Sequence, residues 1–319
     1  MLSRDARLLV LTIAAATISG ANAWAKESAP QKRARPPKWS ADVLDAFFTD
    51  AREKLEGARP EYGQSNASVA ASSKIGASQS VGISTNGTGW SKLVDAETIE
   101  TEIKRLAQSV AADVTTPGAF KGGGFKACRR NFSLLAVLFA VAAEYDHQVR
   151  WQDVAASLRE QFARAGFNAK VGSDQTYQEG ARLKQTLTDL VAGTRPPVPQ
   201  AERMVANWAE VSDRPPLMQR LNTAHQERLT KWLASEREFA AHRDDVRHEA
   251  QIIAALADVI SREGFDYWDD ETYAGLAKEL KQSASDIAAA ADQGNYQQAQ
   301  QAIGRATKAC ADCHDGYRG

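Results

Sequence analysis

The sequence predicts an all-α protein made of two helical domains, the second an antiparallel four-helix bundle. Three observations carry this prediction. Apolar residues recur at three- and four-residue spacing along most of the chain, which is the period of an amphipathic helix. Patterns of alternating apolar and polar residues, typical of strands, are nearly absent. Short turns separate the last four long amphipathic segments, and such turns favour antiparallel neighbours.

Length and composition fit a soluble globular protein of about two domains. The chain has 319 residues, of which 43% are hydrophobic and 25% charged. Its 39 basic and 40 acidic residues give a formal net charge of −1. Because nucleic-acid binding relies on an excess of basic charge, we expect no nucleic-acid partner.

The N-terminus has the pattern of a cleaved signal peptide over residues 1–23. Arg4 and Arg7 precede an apolar run that begins at Leu8, and small residues lead to the cleavage motif Ala21-Asn22-Ala23. The apolar run is too short to cross a bilayer comfortably, and no later segment reaches the ~18 apolar residues of a membrane helix. The sequence therefore predicts an exported, periplasmic protein without a stable membrane span.

The first helical domain is predicted over residues 39–193, followed by a Pro-rich linker over residues 194–212. The linker has three prolines in four positions and is predicted to contain a short helix over residues 200–211. The helices predicted for the first domain cover residues 39–57, 94–113, 125–146, 151–165 and 174–192.

The second domain is predicted over residues 213–319. Asp213 can cap its first helix, and Pro215 and Pro216 suit the first helical turn. Gly294 and Asn295 form the turn before the last helix. The four predicted helices cover about residues 213–235, 241–262, 269–292 and 296–314.

The last predicted helix ends in the sequence Cys310-Ala311-Asp312-Cys313-His314, a CxxCH motif. Two residues three positions apart lie on one face of a helix, so both thiols can add to the vinyl groups of one haem. The next residue, His314, can then reach the iron as its proximal ligand. The motif therefore predicts one covalently attached haem c.

Two other chemistries use paired cysteines. A zinc site needs two further ligands, and apart from His314 the neighbouring candidates are only Asp312 and Asp315. A thioredoxin-like redox pair normally opens a helix after a strand, whereas this pair closes a helix. Export also suits covalent haem attachment, which takes place outside the bacterial cytoplasm.

At this point the sequence resembles the class II cytochromes c, the cytochrome c-prime-like four-helix bundles with a C-terminal CxxCH. The resemblance covers about residues 213–319 and includes the ending GNYQQAQQAIGRATKACADCHDGYRG. It implies a basic residue beside the proximal face of the haem, four positions after the histidine, which is Arg318 here. A solvated terminal arginine is the alternative interpretation.

Topology indicates Met218 as the distal iron ligand. In an up-down-up-down bundle the end of the fourth helix lies beside the start of the first, where Met218 is placed. His225 follows by seven residues, or about 10 Å along the helix axis, and His242 and His248 lie toward the far end. The resemblance also implies a methionine near the start of the first helix as sixth ligand. Core packing of Met218 beside Leu217 and Leu221 is the alternative.

The predicted function is single-electron transfer by a monohaem cytochrome, without enzyme activity. Two alternatives stay open. A five-coordinate iron would bind small gases such as NO or CO, and a partner-binding scaffold would use the haem only to stabilise the fold. Spin state distinguishes the first alternative from electron transfer.

Charge is unevenly distributed along the chain. Residues 213–319 hold 13 basic and 18 acidic residues, whereas residues 24–212 hold 24 basic and 21 acidic. The loop over residues 262–271 has five acidic residues and one basic, and its Phe265, Tyr267 and Trp268 could cover the haem edge. We therefore expect a redox partner with a basic docking surface; the sequence leaves the oligomeric state open.

Cys128, the remaining cysteine, begins a strongly apolar helix. The sequence predicts a free, partly buried thiol, and an intermolecular disulfide is the alternative because an exported protein can be oxidised.

Overall fold

The computed structural model describes residues 89–318, and over that range the protein is all-α without a strand. The all-α prediction is confirmed. The predicted signal peptide and the predicted helix over residues 39–57 lie outside the described residues.

The first bundle has four helices, and local sequence signals mark where they begin. Thr116 accepts a hydrogen bond from the amide of Ala119 at the turn before the second helix, with Pro117 in the first turn. Ser173 and Thr176 form a capping box before the fourth helix. The helices are α1 (Ala96–Asp113), α2 (Phe125–Glu144), α3 (Gln152–Asn168) and α4 (Asp174–Val191).

Helix α2 is the most continuously buried helix among the described residues. It follows a helical turn (Pro117–Ala119) and a π-helical turn (Phe120–Gly124) in which Gly123 has a φ of 152°, a conformation that favours glycine. Every residue from 131 to 143 is buried, because α2 packs against α1, α3 and, in the second bundle, the helix that begins at Arg214. Cys128 on this helix is free and fully buried, more deeply than its predicted partial burial.

The segment between the bundles has little helix. The prediction of a short helix over residues 200–211 is wrong, since only Trp208–Glu210 forms a 3-10 turn. Arg159 donates hydrogen bonds to the carbonyls of Glu202 and Arg203, so side chains of the first bundle satisfy backbone groups that a helix would pair internally. The boundaries at residues 193 and 212 stay predictions, and the described residues lie in one compact unit.

The second bundle contains the helices predicted for it, with one addition. Its helices are α5 (beginning Arg214–Asn222), a short α6 (Glu236–Ala241), α7 (Arg243–Ile260), α8 (Glu271–Gln293) and α9 (Tyr296–Tyr317). Asp270 caps α8 by accepting from two backbone amides, and Asn295 caps α9. Gly294 ends α8 with a φ of 66°, as the predicted turn requires.

Helix α5 changes its winding partway along. It continues from Asn222 through a π-helical segment (Thr223–Leu229) into a final turn (Thr230–Trp232). Such segments are rare and are often found at functional sites. This one contains His225, which is buried.

A buried ionic cluster joins the two bundles. Arg220 on α5 donates to Glu102 of α1 at 2.9 Å and to Glu249 of α7 at 2.6 Å. His248 lies 2.9 Å from the other carboxylate oxygen of Glu102, and Arg228 pairs with Glu249. Four of the side chains in this cluster are nearly inaccessible to water: Glu102, Arg220, His248 and Glu249. The ion pairs between the bundles therefore lie in a region of low dielectric.

Candidate functional site

The CxxCH motif occupies the end of α9 and lines a cavity of about 290 Å³. Cys310, Cys313 and His314 form one side of this cavity. Helices α5, α7 and α8 form the other walls. Their apolar lining residues are Leu221, Ile253, Ile260, Leu276, Ala277 and Leu280.

Neither motif cysteine forms a disulfide with another described residue. Burial raises the pKa of Cys310 to about 11, and the neighbouring Cys313 adds to the effect. Burial also raises the pKa of Cys313, opposed by the charge of Arg214. In the protein before any cofactor is attached, both groups are therefore neutral thiols at pH 7, the form expected in a mostly apolar cavity.

Met218 and Arg318 line the same cavity as the motif. Met218, in the second turn of α5, is half-buried and packs against the core. Arg318 directly follows α9 and is exposed. The structure thus brings together all five residues selected from the sequence, and their roles toward a haem stay predictions.

The histidines weighed as distal ligands are placed differently. His225 lines the cavity, and its Nε2 lies 2.9 Å from the hydroxyl of Thr307 on α9. Burial lowers the pKa of His225 and favours the neutral imidazole. His248 is held by Glu102 in the ionic cluster, and His242 stacks on Trp232 at a centroid distance of 5.2 Å. Neither of these two lines the cavity.

The cavity opens into a wider mouth of about 820 Å³. The two spaces share the lining residues Met218, Asn222, Tyr273, Cys313, His314 and Arg318. Three tyrosines pack at this opening: the ring centroid of Tyr317 lies 5.1 Å from that of Tyr267 and 5.4 Å from that of Tyr273. The guanidinium of Arg214 lies over the Tyr267 and Tyr273 rings, at 5.5 and 5.3 Å.

The loop before α8 contributes one aromatic residue to the mouth. Tyr267 lines it, whereas Phe265 is buried and Trp268 is 43% exposed, and neither lines the cavity or its mouth. Of the three aromatics predicted to cover a haem edge, only Tyr267 is therefore placed to do so. Tyr273 and Arg214 lie at the site although no motif in the sequence indicates them, because they meet only in the folded chain, where the Arg214 guanidinium lies over the Tyr273 ring.

The residues fit a c-type haem. Two thiols and an imidazole face a cavity whose other walls are mainly aliphatic, and this donor set is that of covalent haem attachment with a histidine ligand. A zinc ion would need additional ligands. The described carboxylate and histidine side chains that could hold a metal together are Glu102, His248 and Glu249, which belong to the ionic cluster and do not line the cavity.

The part of the chain that contains the CxxCH motif also matches a known protein family. The family model described as Cytochrome C' matches residues 209–318. No curated protein and no solved structure gives a significant match to the chain.

Proposed function

We propose that this protein transfers single electrons after export. The premise is that residues 209–318 form a cytochrome c'-type domain, which makes the chain a c-type haem protein. In this proposal one haem c is attached through Cys310 and Cys313, with His314 as proximal ligand and Met218 on the opposite side. The bound haem iron would carry the electron by cycling between two oxidation states. We infer no substrate chemistry and therefore no enzyme activity.

The observation that carries the proposal is the position of Met218. Its thioether lies on the cavity that His314 also lines, and it reaches that cavity from a different helix. A sixth protein ligand keeps the iron low-spin and leaves no open position for a gas. Methionine paired with histidine also raises the reduction potential.

His225 is the competing ligand, and its hydrogen bonds argue against it. The Thr307 hydroxyl donates to the carbonyl of Ile303 at 2.8 Å, so its oxygen accepts from His225 Nε2. The Gln226 amide lies 2.9 Å from Nδ1 and can donate to it. With both ring nitrogens engaged, His225 has no free lone pair to offer an iron.

Export is supported by the family, whose members are typically exported proteins. None of the helices in the described part of the chain is long and apolar enough to cross a membrane. The predicted signal peptide over residues 1–23 fits the same destination.

The spectrum of the oxidised and reduced full-length protein tests the proposal. We expect a low-spin c-type spectrum with a methionine–iron charge-transfer band. The Met218→Ala variant should show a high-spin spectrum instead, and it should take up CO rapidly. Met204→Ala is the matched control, because Met204 is 60% exposed and does not line the haem cavity. A high-spin wild-type spectrum with rapid NO or CO uptake would instead establish the gas-binding alternative.

The proposed redox partner has a basic docking surface. The loop over residues 262–271 bears exposed Glu263 and Asp269 beside exposed Tyr267 and Trp268, next to the mouth. Opposite charge across an interface raises the association rate and is screened by salt. Electron-transfer rates to a basic acceptor should fall with ionic strength, and Glu263→Gln with Asp269→Asn should weaken that dependence. Rates independent of salt would exclude this docking mode.

A further inference from the structure

Arg130 belongs to α2 of the first bundle, outside the residues that match the cytochrome family, yet it lines the mouth of the haem cavity. We propose that Arg130 binds a propionate carboxylate of the haem, so that the haemless half of the molecule completes the cofactor site. This inference rests on the proposed haem attachment.

A salt bridge of the preceding residue, Arg129, positions the part of α2 that contains Arg130. Arg129 donates to Asp213 at 2.5 Å, and Asp213 is the residue that precedes α5. Lys170 of the segment after α3 reaches the same carboxylate at 3.1 Å. These contacts hold the first turns of α2 against the beginning of α5. Arg130 and Arg214 are thereby brought to the same opening.

The charges at the mouth favour an anion. Arg130, Arg214 and Arg318 line it, together with the carboxylates of Asp266 and Glu227. Arg214 contacts Asp266 at 3.9 Å, but its Nε is buried without a hydrogen-bond partner among the described residues. Within the same part of the chain no carboxylate lies within salt-bridge distance of Arg130; Asp113 senses its charge only at longer range.

A carboxylate suits these groups better than a neutral ligand does. A guanidinium presents a planar fork of N–H donors that matches the two oxygens of a carboxylate. A haem anchored by its vinyl edge at Cys310 and Cys313 carries two propionates away from that edge. The mouth adjoins the cavity through six shared residues, so an acidic group of the bound cofactor can extend into it.

The binding of a propionate predicts an electrostatic signature. A positive charge beside the haem disfavours the oxidised iron and so raises the reduction potential. It also lowers the pKa of the propionate by stabilising the ionised form. Removing the charge should therefore lower the potential and move its propionate-linked pH dependence to higher pH.

The experiment compares Arg130→Gln, Arg130→Lys and Lys126→Gln in the haem-loaded full chain, by titrating the reduction potential from pH 4 to 9. Lys126 is the matched control, because it lies one turn earlier on α2, is exposed and does not line the mouth. We expect Arg130→Gln to have a lower reduction potential than the wild type and a propionate-linked pH dependence moved to higher pH. Arg130→Lys keeps the charge and should show smaller changes in both quantities, and Lys126→Gln should show neither change.

Two results would overturn the inference. One is an Arg130→Gln potential and pH profile equal to those of the wild type or of Lys126→Gln. The other is a wild-type potential that changes with added acetate at constant ionic strength, since Arg130 would then bind a free anion. A wild-type protein that acquires no haem would instead contradict the proposed function itself.

Discussion

Replacement of Arg220 by methionine should destabilise the protein strongly. Arg220 is 5% exposed and contacts two carboxylates, Glu102 at 4% exposure and Glu249 at 0%. Methionine fills much of the same space but leaves Glu102 with only His248, and Glu249 with only the partly exposed arginines 105 and 228. The buried carboxylates of Glu102 and Glu249 thus lose the guanidinium of Arg220 that lies between them.

The expected size follows from this burial. Removing one partner of a buried ion pair costs about 3–5 kcal/mol of unfolding free energy, because the remaining charge is desolvated and uncompensated. Arg237 provides the contrast: it pairs with Glu238 at 3.2 Å, but its side chain is 90% exposed. Such surface substitutions stay within about 0.5 kcal/mol.

Urea unfolding of the haem-loaded full chain at pH 7 measures both variants. Arg220→Met should shift the midpoint to lower urea, whereas Arg237→Met should not. A variant that also carries Glu102→Gln and Glu249→Gln should recover part of the loss, since no buried charge is then left unpaired. If Arg220→Met loses no more stability than Arg237→Met, the cluster is not the energetic link between the bundles that its geometry indicates.

Two further predictions concern buried titratable groups. Burial alone would raise the pKa of Glu102, but the hydrogen bond from His248 and the charge of Arg220 outweigh it and lower the pKa to about 2 from 4.5. The resulting stabilisation is complete above pH 4.5 and is lost as the pH falls toward 2. The melting temperature of Glu102→Gln should therefore depend less on pH over that range than the melting temperature of the wild type. Equal pH dependence in the two proteins would refute the lowered pKa of Glu102. Cys128 is fully buried, and burial together with the charge of Asp113 raises its pKa to about 12. Mass spectrometry should therefore find Cys128 unmodified by iodoacetamide in the native protein and modified in urea. Labelling of Cys128 in the native protein would contradict the described packing.

The features that the sequence predicts well are local ones. Helical periodicity locates the long helices to within a few residues, because each buries one apolar stripe. The CxxCH motif identifies the chemistry of its own segment, because its three functional residues are held together by helix geometry alone. The neighbourhood of Met218 also follows from topology, since the two helix ends must meet in an up-down-up-down bundle.

The features that sequence reasoning misses depend on contacts between distant segments. Nothing in the residues around Arg130 indicates an approach to a cavity in the other bundle, because that approach depends on how α2 packs against α5. The ionic cluster likewise joins Glu102 to Arg220 across 118 positions. The helix predicted over residues 200–211 fails for a related reason, since Arg159 of the first bundle supplies the hydrogen bonds that favour an extended path.

The position of α2 determines how this molecule can be divided. A helix buried on every side for thirteen consecutive residues serves as a wall for both bundles at once. Separating the two halves of the chain at the Pro-rich segment would strip α5 of α2, its apolar neighbour. The Pro-rich segment marks a boundary in the sequence. It is not a boundary along which the folded protein could be divided, because α2 packs in both bundles. Excising the haem region would require a new surface on α5 as well as a new N-terminus.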